Sequence, residues 1–160
     1  MDAATELSHH LWSLRQLLER LIYRLDVQQL LLAASRTRFL PLAAAEVDEA
    51  SAAIAALDEH IRKAAAELAV AAGLSPTAVL AELAEHTEPH VRQLLLDHRA
   101  ALQILQSEVE ELVRSNKELA KRVISARDML SALNSTTDTY TPKGTHELQA
   151  RTARRFDATA

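Results

Sequence analysis

The sequence predicts an all-α protein: an elongated antiparallel helical bundle or coiled coil of three long helices and one short one, followed by a flexible C-terminal tail. Three observations predict it. Alanine and leucine, 30 and 27 copies, supply over a third of the 160 residues, and both favour helix. Two Gly and four Pro are too few for the tight turns of a β-sandwich or an α/β fold. Apolar residues recur at alternating spacings of four and three over long stretches, which is a coiled-coil seam.

The first helix is expected over about 5–38. Leu7, Leu11, Leu14, Leu18, Leu21 and Leu25 form its seam, and Leu17, Ile22, Leu30, Leu31 and Leu32 widen it enough to meet two neighbours. Pro41 places a hairpin or sharp kink at Phe39-Leu40-Pro41, because proline lacks an N–H and clashes with the preceding turn. The second helix is expected over about 42–72, with Val47, Ala50, Ile54, Leu57, Ile61, Ala64, Leu68 and Ala71 inward. Its opening acids Glu46, Asp48 and Glu49 fall near the basic end of the first helix, Arg36 and Arg38, as a hairpin requires. Gly73 is a C-terminal stop. Ser75-Pro76 is a cap and first-turn pair that starts a short helix, about 76–85. Thr87 is the candidate cap of the last helix, about 89–134. Its seam runs Val91, Leu95, His98, Leu102, Leu105, Val109, Leu112, Asn116, Leu119, Val123, Ala126, Leu130, Leu133 without a slip. Residues 1–134 form the bundle, and 135–160, polar and Thr-rich, form the flexible tail.

A length argument carries a functional consequence. The first two helices span roughly 45–50 Å each and the last roughly 67 Å, so intramolecular partners run out near Ala120. The stretch beyond stays apolar, with Val123, Ile124, Met129, Leu130 and Leu133, and Val113, Ala120 and Ile124 broaden the stripe. An uncovered apolar face marks an interaction site. A groove for an amphipathic helix, a bent first helix, a folded-back tail and a second copy of the chain are the alternatives.

Catalytic chemistry finds little support. There is no phosphate loop, no GxGxxG, no HExxH and no GxSxG. Zero Cys excludes disulfides and Cys-based metal sites. His86 and His90, near Glu82 and Glu85, have metal-like spacing, but Pro89 interrupts the helix between them. Surface histidines are the plainer reading, and neither an enzyme nor a cofactor is expected. His98 on the seam reads as a satisfied core histidine or a register device. Asn116 at a seam position either fixes register or faces solvent or a partner. Trp12, Tyr23 and Phe39 read as packing residues. A formal charge of −4, and only Arg36 and Arg38 beside Phe39, argue against nucleic acid. No run approaches ~18 apolar residues, so no membrane insertion is expected. No signal sequence is read at the start, and a cytoplasmic location is expected.

Certain stretches resemble a known family. Leu14–Leu21 with Glu19, Gln28-Gln29-Leu30-Leu31-Leu32-Ala33 and Arg36-Thr37-Arg38-Phe39-Leu40 come first. Gly73-Leu74-Ser75-Pro76, Leu80-Ala81-Glu82-Leu83-Ala84, His98-Arg99-Ala100-Ala101-Leu102 and Asn116-Lys117-Glu118-Leu119 follow. In order and spacing they resemble the FlgN flagellar export chaperones in their actinobacterial form, over about residues 5–140. Phe39 stands where that pattern has Trp, and the chain after 145 lies outside it. The resemblance implies a chaperone that binds the hook–filament junction proteins FlgK and FlgL before export. It covers their terminal helical segments and delivers them to the flagellar type III export gate. It also implies client binding by the C-terminal region, which here maps onto Val113, Leu119, Ala120, Val123, Ile124, Met129, Leu130 and Leu133. Tyr140, the one tyrosine in that region, is the implied gate contact. The expected state is a monomer or weak homodimer, with a self-associating coiled-coil scaffold as the alternative function.

Overall fold

A computed structural model describes residues 2–137 of the chain. Those residues form an all-α helical bundle: α1 (Ala3–Ala33), a 3₁₀ turn (Thr37–Phe39), α2 (Leu40–Ala71), α3 (Leu80–Glu85) and α4 (Pro89–Thr137). α4 continues through the first three residues of the stretch expected as tail, 135–160, and the remainder, with Tyr140, lies outside the described residues. The chain divides at Ala120 into two compact units, and each is described by itself.

The first unit is held by the leucine seams. Arg24 donates to Glu46 across α1 and α2 at 2.8 Å, and His10 faces His60 at 5.7 Å. Fourteen residues along α1 are thus matched by fourteen along α2 in the opposite sense, so the pair is antiparallel. Ser8 bonds His98 at 3.1 Å and Asn116 bonds Leu25 at 2.9 Å. The offset between α1 and α4 is nearly constant, 90 and 91 residues, so these two run parallel and hold register for about five turns. One core gathers Leu7 and Leu11 of α1, Leu68 and Ala69 of α2, Leu83 of α3 and Leu95 of α4. A second gathers Leu21, Leu25 and Ala50, with Val109 and Leu112 packed against it. Burying a leucine contributes about 1.5–3 kcal/mol, so these layers carry most of the stability.

Several local expectations are corrected. The turn between α1 and α2 is made by Ala34–Phe39 and not at Pro41. Pro41 sits in the first turn of α2, where its missing N–H costs nothing. The reversal is a Schellman closure: the Arg36 amide donates to the Leu31 carbonyl at 2.8 Å and the Ser35 amide to Leu32 at 3.1 Å. Ser35 takes φ +53° there. Gly73, at φ +73°, ends α2 the same way. Arg36 and Arg38 lie in the connection and not on α1, and Glu46 pairs with Arg24 instead of with them.

The short helix begins at Leu80, not Pro76. Ser75 closes a turn on itself, its carbonyl accepting from the Ala78 amide at 2.9 Å. Glu82 then takes the Val79 amide at 3.1 Å, and this starts α3. Thr87 does not cap α4. Its hydroxyl donates back to the Ala84 carbonyl at 3.0 Å, and Arg92 closes the end of α3 by donating to Ala84 and Glu85. Ala71, expected inward, is exposed at the last position of α2, whereas Ala69 is buried in the core beside Leu68.

Candidate functional site

Burial along the α4 seam sorts its residues. Leu95, His98 and Asn116 are buried, and Leu102, Leu105, Val109, Leu112 and Leu119 are half-buried. In the second unit the same spacing continues, but Ala126, Leu130 and Leu133 are exposed and Val123 is half-buried. The large apolar side chains there are open to solvent: Ile124 60%, Met129 68%, Leu130 62% and Leu133 57%. Ala120 is half-buried. Val113 and Leu119, expected in the same set, belong to the first unit, where Val113 is 49% exposed.

Helical geometry orders this second-unit face. Arg127 stands four residues after Val123, three after Ile124 and three before Leu130, so all four share one side of the helix. Met129 and Leu133 extend the apolar stripe past Leu130. Among the described residues Arg127 has no carboxylate partner. Sequence reasoning passed over this arginine because it follows the apolar seam and ignores what interrupts it. The signal was its own spacing from Val123, Ile124 and Leu130.

The polar seam residues of the first unit are structural. Asn116 donates through Nδ2 to the Leu25 carbonyl and to Gln28 Oε1, at 2.9 and 3.1 Å, while its Oδ1 is buried without a partner. Gln29 adds a bond to Ser115 at 2.8 Å. Asn116 therefore ties α4 to α1 at one register. His98 is buried against Ser8, and its Nδ1 has no partner. Burial first, and the Arg15 charge second, push its pKa below the ordinary histidine value, against a smaller opposite pull from Asp97.

The aromatic residues among those described are not core residues. Trp12, Tyr23 and Phe39 are exposed, and each lies under a guanidinium: Arg15, Arg24 and Arg38, at 5.1, 5.5 and 5.5 Å. They fall off the leucine seam, and the flat ring faces receive the neighbouring cations.

An open groove between α1 and α2 is lined by Ser13, Gln16, Leu17, Ala53, Leu57 and His60. The Ser13 hydroxyl donates to the His9 carbonyl of its own helix at 3.0 Å, so it is not set against a base. His86 Nδ1 lies 3.0 Å from the Glu82 carbonyl and His90 is exposed. Among the described residues no group of three or more His, Cys, Asp or Glu is placed to hold a metal, and no helix is long and apolar enough to cross a membrane.

The arrangement suits binding: a register-locked bundle, followed by a helix that presents an apolar stripe. No curated protein and no solved structure gives a significant match to the chain. The FlgN protein family model matches residues 1–147, nearly the whole sequence, and with this all-α bundle it places the chain in the FlgN family, a family of flagellar export chaperones and not of enzymes.

Proposed function

We propose that this protein is a cytoplasmic chaperone for the hook–filament junction proteins FlgK and FlgL. It holds their terminal helical segments, keeps them from assembling early, and delivers them to the flagellar type III export apparatus. Family membership supports the chaperone class. The observation that carries the binding site is the run of exposed apolar side chains from Ile124 to Leu133 on a helix whose earlier seam is buried or half-buried. A soluble chain rarely leaves several large apolar residues together in water without a binding purpose. Helical spacing of those residues matches an amphipathic helical segment laid along them.

In this reading Ala120, Val123, Ile124, Met129, Leu130 and Leu133 receive the client. Each large apolar side chain covered by a client contributes about 1.5–3 kcal/mol before the cost of association. Tyr140 is the proposed contact with the export gate. The test is capture of each junction protein by the full chain and by an Ile124→Asp, Leu130→Asp variant. Capture by the former and not the latter supports the reading. Equal capture by both removes the site, and capture by neither removes the function. Tyr140→Ala should leave capture intact and lower export.

A further inference from the structure

We infer that Arg127 sets the specificity of the C-terminal face, and that the segment it accepts is an amphipathic helix with a carboxylate inside its apolar stripe. The inference rests on the client-binding role proposed above for that face and names the chemistry of its partner. Arg127 stands amid Val123, Ile124 and Leu130, one turn from each. It is exposed and has no carboxylate partner among the described residues. Asp128, the one acid of residues 120–137, is its sequence neighbour and projects about 100° round the helix. A partner that covers the apolar residues must also cover the guanidinium. Removing that charge from water without a counter-charge is costly, whereas a carboxylate set against it gives a charge-assisted, bidentate bond.

The charge distribution along the chain points the same way. Residues 1–119 hold eleven basic against eighteen acidic side chains, a net of −7. Residues 120–137 hold Lys121, Arg122 and Arg127 against Asp128 alone. An acidic helix is therefore repelled by the first 119 residues and attracted by the stretch that follows. A second copy of this chain is a poor occupant of the same face. Symmetric pairing centred on it sets one Arg127 against the other, a like-charge contact that selects against self-association.

The experiment uses the full chain and two synthetic amphipathic helical peptides with identical apolar faces, one with Glu and one with Lys at the middle of the face. Binding is read by calorimetry at low and at physiological salt. The full chain is expected to bind the Glu peptide about tenfold more tightly than the Lys peptide, with the preference shrinking as salt rises. In Arg127→Glu the order reverses, and in Arg127→Gln the preference disappears while helix content stays constant. Equal binding of the two peptides, binding of neither, or a preference unchanged by Arg127→Glu overturns the inference. Capture of the junction proteins is measured beside it. Capture without peptide discrimination sinks this inference alone, and discrimination without capture sinks the junction-protein reading alone.

Discussion

His98 and Asn116 show how much one buried polar side chain decides. Burial and Arg15 hold the folded His98 pKa below its unfolded value. Above the unfolded value of about 6.5 both states are neutral and the fold has its full stability. As pH falls below that value the unfolded chain takes up a proton that the folded His98 resists, so stability declines until the folded pKa is reached. Urea unfolding at pH 7.5 and 5.5 checks this: the wild type should lose more stability on acidification than His98→Gln. Asn116 works as a donor to Leu25 and Gln28. Asn116→Asp keeps the shape, removes both donors and sets a carboxylate against two acceptor oxygens. A loss of about 2–3 kcal/mol in urea unfolding is expected. Sequence periodicity put both residues on the seam but left their roles open, because a seam position does not reveal which polar partner the neighbouring helix supplies. The exposed aromatics were misread for a related reason: ring size suggests core, yet Trp12, Tyr23 and Phe39 fall off the seam and rest under arginines.

At the scale of elements, the long helices were legible because their leucines keep one period over many turns. Their ends were less so. A helix end depends on which carbonyl or hydroxyl closes it, and one sequence offers several: Thr87 turned back to Ala84, and Glu82 rather than Ser75 opened α3. Two such ends make opposite predictions. Ser35 holds φ +53° without being glycine, so Ser35→Gly should stabilise by up to about 1 kcal/mol. Gly73 holds φ +73°, and a Cβ there would meet no atom within 4 Å. Gly73→Ala should therefore cost about 1 kcal/mol from backbone conformation alone. Thermal unfolding of the two variants should shift in opposite directions. The C-terminal part of α4 makes a different prediction. Ile124 and Leu130 are exposed, so changing both to Asp should alter stability by no more than about 0.5 kcal/mol each. The effect should appear in client capture instead.

For the whole molecule, the apolar period of α4 runs on past Ala120, where the chain divides into two compact units. Periodicity could not say what the apolar residues beyond it are for, since a seam looks the same whether its partner is internal, a second copy or a client. Family membership supplied the class of function. The charge contrast between the two stretches of chain, and the arginine within the apolar face, supplied the proposed chemistry of the partner. The two cores of the first unit draw only on residues before Ala120, so a chain cut after Ala120 should keep its helical circular dichroism and unfold cooperatively. The most direct measurement is co-purification of the full chain and of this truncation with each junction protein, sized by light scattering. The full chain should give a complex of defined ratio and the folded truncation none. A truncation that binds the client as tightly as the full chain would contradict this.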